Sequence, residues 1–494
     1  MAKHARSSAE GKTRKASPFG LSVSAILLLV FLVFWGYVWS TGLAPGLYIG
    51  IGILVSAGFT GLVLFLTWSK ERKACRVVGI ILAALLVFGC VVGGFALWRA
   101  VHTVRQISDM SSERSLMAFY TEHDSSIQTI SDLNGQRVGI LSQLDRPNTE
   151  DALHQAETEQ GFAFSIQEYE SPALLADALR GGEVAGILLN QAFLSLYEGL
   201  PGYESFASEL RDLSTQEVEH VLEHSASTPV PELDEPADPD EDSIVTILIS
   251  GSDTRGDMVD QRGRSDVNII AKVNRETHKI LLLSTPRDYY VPLAFSWGSP
   301  EDKLTHAGIY GMDVLMGTLE DLYDTVIDYY FRLNFTGFTE IIDALGGIDV
   351  YSDYDFTAGG HDYHVGTNHL DGAEALSFAR ERYSFTEGDR QRGRNQMAVI
   401  EGVLKKAMSP SILTGYLNIL QSVQDYVDTS IPYDLIAEVV RQQLSDGANW
   451  DVESYSVDGS DASATTYSMA QNLYVMIPDE ATVQEAKTKL TELD

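Results

Sequence analysis

Three apolar runs without a charged residue stand almost end to end in the first hundred residues: Phe19–Trp39, Gly46–Trp68 and Val77–Trp98. Each is 21–23 residues long, which at about 1.5 Å per residue is the span of a helix crossing a hydrocarbon core. A cleavable signal peptide has one shorter run, and three in succession are not a buried core helix. Trp35, Trp39, Trp68 and Trp98 sit near run ends, where amphipathic rings favour the membrane interface. The chain is therefore expected to begin with a three-pass anchor.

Charge sets the expected orientation. Lys3, Arg6, Lys12, Arg14 and Lys15 precede the first run, and Lys70, Arg72, Lys73 and Arg76 fall between the second and third. The loop between the first two, Ser40–Pro45, carries no charge. The positive-inside rule then puts the N-terminus in the cytoplasm and everything after Trp98 outside. The first 100 residues hold 10 Lys and Arg against 2 Asp and Glu, whereas the other 394 hold 25 against 67. A body that acidic repels phosphate backbones, which excludes broad nucleic-acid binding. Both cysteines, Cys75 and Cys90, lie in the anchor, so the body has neither a disulfide framework nor a cysteine zinc site.

After a basic leader (1–18) and the anchor (19–98), a short stalk is expected over 99–115. A small α/β accessory domain follows over 116–224. In it Ile130–Leu141 reads as a turn running into a strand, and Pro172–Asn190 as a helix, a Gly-Gly stop and a strand. That pattern resembles one lobe of a bacterial solute-binding protein, though a single lobe lacks the cleft that grips a solute, so a structural or partner-docking role is favoured. Residues 225–242 contain four prolines and seven acids without a base, a stiffened, solvated linker. From Ser243 to Asp494, strands ("SIVTILISG", "VNIIAKVN", "HKILLLS", "VIDYYFRLN", "IDVYSD", "WDVESYSV") interleave with helices. This predicts an α/β domain, or α-β-α layers around a mixed central sheet.

Three constellations carry possible chemistry. Asp253 and Asp266, 13 residues apart, flank a loop between two strands with Arg255 and Arg264. They suit a shared hard cation such as Mg²⁺, or equally an ordinary polar turn. "FARERYSFTEGDRQRGRNQ" packs Arg380, Arg382, Arg390, Arg392 and Arg394 into fifteen residues of an acidic domain. Guanidinium forks match phosphate oxygens, while Glu381, Glu387 and Asp389 offer plain surface ion pairs as the alternative. Arg287 follows a strand in "LLLSTPRDYYV", with Lys303 shortly after; His306 stands alone and reads as a satisfied structural histidine. No phosphate-binding P-loop, zinc-spaced His pair or G-x-S-x-G elbow occurs.

The ordered blocks "LISGSDTRG", "GRSDVNIIAKVN", "KILLLSTPRDYYV", "KLTHAGIYG", "NFTGFTEIIDALGGIDV", "LDGAEALSFARERY" and "GDRQRGRNQ" resemble the LytR-CpsA-Psr (LCP) family of bacterial cell-envelope enzymes. Three spans and an accessory domain are similar to its capsule-type members. The resemblance implies a phosphotransferase that moves a glycopolymer, here capsular polysaccharide, from an undecaprenyl-pyrophosphate carrier to peptidoglycan through a phosphodiester bond. The polysaccharide-synthesis machinery is an expected further partner. Carried over by motif, Asp253 and Asp266 would hold Mg²⁺. Arg264, Arg287, Arg380, Arg382 and Arg392 would clamp the pyrophosphate, with Gln396, Arg394 and Lys303 as further substrate contacts. The carrier's tail needs an apolar slot, for which "MDVLMGTLEDL", "FTGFTEIIDAL" and "MAVIEGVL" offer apolar faces. The competing expectations are a non-enzymatic membrane sensor or scaffold that binds polyprenyl phosphates, and a transcriptional regulator, which the inferred topology and acidity oppose.

Overall fold

The computed structural model describes residues 18–42, 44–68, 73–108, 112–221, 243–252, 261–409, 419, 423 and 425–494. It divides into two compact units, 1–104 with 433–447 and 105–432 with 448–494.

The first unit contains α1 (Pro18–Ser40), α2 (Gly46–Trp68) and most of α3 (Lys73–Ser108). All three are long and apolar enough to cross a membrane. Leu27, Phe31, Val63 and Ala83 form a small buried seam, and Trp35 Nε1 donates to Ser56 Oγ at 2.9 Å. Leu29, Leu54, Phe65 and Phe88 point outward, an apolar surface that water would not tolerate and lipid would. The expected stalk is not a separate segment: α3 continues to Ser108, because Arg99–Ser108 contains no glycine or proline to stop a helix already propagating.

The second unit opens with a five-stranded accessory sheet, order β3-β2-β4-β1-β5. Its strands are β1 (Ser112–Glu122), β2 (Arg137–Leu141), β3 (Ser165–Tyr169), β4 (Gly186–Asn190) and β5 (Leu210–Val221). β1 begins before the expected boundary at 116 because it pairs with β5 along its whole length, from Ser112 opposite Val221. Two helices cover the sheet, α4 (Arg146–Gln160) and α5 (Pro172–Arg180). The Ser171 side chain accepts from the Leu174 amide to start α5, and Gly181 ends it, the cap chemistry the sequence carries. The expected linker, 225–242, lies outside the described residues.

The larger sheet has the order β16-β11-β6-β7-β8-β17. It comprises β6 (Ile244–Ser252), β7 (Ser265–Asn274), β8 (Lys279–Ser284), β11 (Tyr329–Asn334), β16 (Val427–Thr429) and β17 (Asp451–Ser456). β11 runs parallel to β6, and β17 to β8, while β6-β7-β8 are antiparallel. The sheet is mixed, as expected. A short hairpin, β9 (Tyr290–Pro292) and β10 (Glu301–Lys303), leads to α6 (Leu304–Tyr310) and α7 (Met312–Tyr323). Alternation along the strands splits the apolar residues between two faces. Leu248, Ile270, Leu281 and Leu283 pack against α6, α7 and the C-terminal α12 (Glu480–Glu492). Ile269, Ala271, Ile280 and Leu282 face the long helix α10 (Asp389–Ala407) through Met397, Ile400 and Leu404. The result is three layers.

Beside α10 lie α8 (Phe335–Ala344) and α9 (Gly372–Arg380). Between them run two small antiparallel pairs, β12 (Ile348–Ser352) with β15 (Gly366–Leu370) and β13 (Phe356–Ala358) with β14 (His361–Tyr363). Only β12 is anticipated by the sequence pattern. Phe356 and Tyr363 stack at 4.7 Å over Phe378. After α11 (Tyr433–Asp446), which belongs to the first unit, and β17 comes the hairpin β18 (Gly459–Thr466) and β19 (Gln471–Pro478). Met476, Val483, Ala486 and Leu490 enter the main core, so the C-terminal stretch is part of the domain.

Candidate active site

Two cavities meet at one residue. The first is apolar, about 350 Å³. The sheet supplies Ile247, Ile249, Val267 and Phe331, α8 supplies Phe338 and Ile341, and α10 supplies Ile400 and Val403. Its polar lining is sparse: Ser252, Asn334, Arg380 and Gln396. The slot expected from "FTGFTEIIDAL" (α8) and "MAVIEGVL" (α10) is therefore present. "MDVLMGTLEDL" is not part of it. That helix, α7, buries Met312, Leu315, Met316 and Leu319 against the opposite face of the sheet, because the parity of the facing strand residues sends it to the other layer.

The second cavity, about 80 Å³, is lined by Asp266, Ser284, Arg287, Arg390, Arg392, Arg394, Gln396 and Asp458 among others. Gln396 lines both. Strand ends and one helix start bring these residues together: Asp266 enters β7, Arg287 follows β8, and Arg392 and Gln396 lie on the first turns of α10. Gly388 (φ 52°) admits the reversal that starts α10, and the positive end of the helix dipole favours anions there.

Arg287 Nη1 donates to Asp266 Oδ1 at 2.7 Å, and Thr305 Oγ1 donates to the same oxygen at 3.1 Å. Burial raises the Asp266 carboxyl pKa, but Arg287, Arg264 and Arg392 outweigh burial and hold it below its ordinary value. Asp288 behaves alike: burial is outweighed first by Lys303, then by Arg287. Lys303 Nζ donates to Asp288 Oδ1 at 2.9 Å and does not line either cavity; the sequence places it among substrate contacts, whereas here it neutralises Asp288 behind Arg287. His306 pairs with Asp302 at 2.6 Å, a buried structural histidine.

The remaining candidates divide. Arg380 lines the apolar cavity with its guanidinium 4.4 Å from the Phe335 ring centroid. Arg382 donates to the Tyr383 hydroxyl at 2.6 Å and lines neither cavity. Arg390 bonds Asp458 and the Gly459 carbonyl, both at 2.5 Å. Arg394 is held by Glu387 and Gln391. Arg264 donates to the Ser195 carbonyl at 3.3 Å and acts on Asp266 through its charge. Asp253 lies outside the described residues. Sequence reasoning passes over Asp288 and Asp458; the "PRD" triplet marks the first, and nothing local marks the second, which arrives from the far end of the chain.

Asp266 is one carboxylate of the kind Mg²⁺ takes, with Oδ1 already engaged by Arg287 and Thr305. Among the described residues no group of three or more His, Cys, Asp or Glu could hold a metal, so phosphate oxygens and water would have to supply most of the shell.

Residues 203–492 match the LytR_cpsA_psr family. The chain belongs to that family. A Bacillus cereus protein named polyisoprenyl-teichoic acid–peptidoglycan teichoic acid transferase TagU is 39% identical over 191 residues, 38% of this chain and 61% of the relative. The TagU of Bacillus mycoides is 33% identical over 238 residues, 48% of this chain and 75% of its own. Among solved structures, B. subtilis TagV is 26% identical over 51% of this chain and 97% of that one, with a TM-score of 0.43. TagT bound to LI-WTA is 26% identical over 52% and 93%, with a TM-score of 0.42. The chain spans about three-fifths of the length of the first of these relatives.

Proposed function

We propose that this LCP-family protein transfers a glycopolymer from a polyprenyl-pyrophosphate carrier to peptidoglycan, forming a phosphodiester bond. The observation that carries the reading is the junction at Gln396 of an apolar cavity with a pocket holding Arg287, Arg392 and Asp266. A slot for a hydrocarbon tail beside a cationic pocket, with Gln396 in the wall of both, is complementary to a lipid phosphate or pyrophosphate. The names of the TagU relatives support the same class of donor and acceptor. Phosphoryl transfer needs little covalent help from protein; it needs placement and charge neutralisation. Arg287 and Arg392 would hold pyrophosphate oxygens in the pocket, Arg380 would meet the headgroup where it leaves the apolar cavity, and Arg264 would add charge beside Asp266. Asp266, with Asp253, would hold Mg²⁺, which would neutralise charge on the pyrophosphate.

In this reading a sugar hydroxyl of peptidoglycan attacks the sugar-linked phosphorus and polyprenyl phosphate departs. The undecaprenyl chain as carrier and capsular polysaccharide as cargo are the specific forms we favour, the latter from the three-span anchor with an accessory domain. The anchor's basic loops favour a body outside the membrane, beside a carrier that cannot leave the bilayer. The test supplies lipid-linked polysaccharide, peptidoglycan and Mg²⁺ to wild type and Arg380→Ala. Conjugation should fall by one to two orders of magnitude in the variant. Equal conjugation would remove Arg380 from the clamp, and none in wild type would leave a lipid-phosphate sensor or scaffold as the function.

A further inference from the structure

The accessory domain reaches the segment that leads into the catalytic pocket. Gln261–Ser265 leads into β7, whose second residue, Asp266, lines the arginine-rich cavity, while Arg264 lines neither cavity. Arg114 of β1 forms a parallel bridge with Gln261, and the Arg262 amide donates to the Arg114 carbonyl at 3.0 Å. In effect the accessory sheet lends its first strand to the entry of the catalytic sheet.

Next to that bridge lies Glu113, whose side chain is fully buried. Its carboxylate accepts from Arg262 Nε at 3.2 Å, from the Met312 amide at the start of α7 at 3.0 Å, and from Arg332 of β11. Arg332 in turn donates to Asp428 of β16 at 2.5 Å. One acid of the accessory domain thus ties together the Arg262 segment, a helix start and two strands of the catalytic sheet. The packing leaves no slack. A Cβ at Gly311 would stand 2.8 Å from Glu113 Oε2, and one at Gly308 would stand 2.6 Å from the Gly263 carbonyl. Further along, Ile309 of α6 enters the accessory core with Phe193 and Leu196, and the Ser195 carbonyl accepts from Arg264 itself.

The edge of the accessory sheet where α/β folds commonly hold ligands is the one used here. Asp145 sits there, bonded by Asn148 at 2.6 Å and Asn190 at 2.7 Å. Burial keeps its carboxyl above the ordinary value, and Arg262 of the catalytic domain acts against that.

We propose that the accessory domain is a positioning device for the catalytic pocket: through Glu113 it fixes Gln261–Ser265 and so sets the next residue, Asp266, and its partner Arg287 in the headgroup pocket. Glu113 is a positioning residue, since it contacts the segment and not the site. The inference rests on the lipid-phosphate reading above.

The experiment measures, on the full chain in nanodiscs, affinity for farnesyl phosphate and for farnesol, and takes their ratio. The ratio isolates the headgroup, and general loosening of the fold moves both ligands together. Glu113→Gln keeps the shape but removes the charge and replaces one of two accepting oxygens by an NH2, which faces a donor from Arg262, Met312 or Arg332. It should lower the ratio about ten-fold, the scale of a lost charged hydrogen bond, with farnesol affinity unchanged. Gly308→Ala pushes the same segment from the other side and should do likewise; it decides the matter if Glu113→Gln does not fold. Folded variants that keep the wild-type ratio overturn the proposal. A wild-type ratio near one instead overturns the lipid-phosphate reading itself.

Discussion

If the apolar cavity holds the carrier's tail, affinity must climb with tail length until the cavity is full. An isoprenoid unit has five carbons, and a buried methylene-sized group gains about 0.8 kcal/mol. A fully enclosed unit therefore gains about 4 kcal/mol, less roughly 1–2 kcal/mol for its frozen rotatable bonds. The net, about 2–3 kcal/mol, is roughly thirty- to hundred-fold in Kd per unit. A cavity of about 350 Å³ takes on the order of a dozen carbon-sized groups at ~30 Å³ each, which is about two units. Titration of the protein in nanodiscs with dimethylallyl, geranyl and farnesyl phosphate should show a steep first step and a smaller second one. Ile400 lines this cavity from α10, so Ile400→Asn places an amide against the tail. That should cost about 1–3 kcal/mol for geranyl phosphate and almost nothing for inorganic phosphate. Equal affinities along the series, or a slope that Ile400→Asn leaves intact, would refute a tail-binding role for the cavity.

Three further outcomes follow from charge. Asp266→Asn removes a negative charge from the arginine pocket, so farnesyl phosphate should bind as well or better while Mg²⁺-dependent transfer falls at least 10²-fold; loss of both together would contradict the assigned role. Since its arginines hold Asp266 below the ordinary 3.8, the wild-type pH–rate profile should show no inflection from this group above about pH 4. His220 lies opposite Glu113 on β5, and its pKa is lowered to about 4, by burial first and then by Arg262, with Glu113 and Asp151 acting the other way. The unfolded chain takes up that proton first as pH falls, so stability is lost between pH 6.5 and 4, by on the order of 1 kcal/mol once solvent screening of this half-exposed group is allowed for. In His220→Gln, denaturant titrations from pH 7 to 4 should lose correspondingly less; parallel curves for both proteins would place the acid sensitivity elsewhere.

Much of this architecture can be read locally. The three spans, the mixed sheet and the helix ends follow from apolar period, caps and glycine stops, all properties of neighbouring residues. Gly346 and Gly347, at φ 74° and 82°, close α8 where the pattern "DALGG" predicts. The misreadings share one cause. β13 and β14 are three residues long, too short to show a period. The apolar stripe of α7 is a sound helix pattern, yet no local signal tells which sheet face it covers; strand parity decides that, and it is visible only once β6, β7 and β8 are in register.

The site is legible by the same measure. Arg287, Arg392 and Asp266 stand in dense, compositionally unusual motifs, and the fold brings them to one pocket. Lys303 stands in an equally suggestive motif, yet Asp288 claims it. Spacing reveals which side chains carry charge, and not which counter-charge the fold supplies. Glu113 makes the point most sharply. In the sequence it is one of 69 acids, in a stretch that reads as stalk. In the fold it is an acid with no exposure, gathering Arg262 and Arg332 from 149 and 219 residues away. Burying such a group is costly unless every partner is in place, so its conspicuousness is a property of the assembled interface. The arginine motifs alone therefore leave out the residue that holds their framework in register.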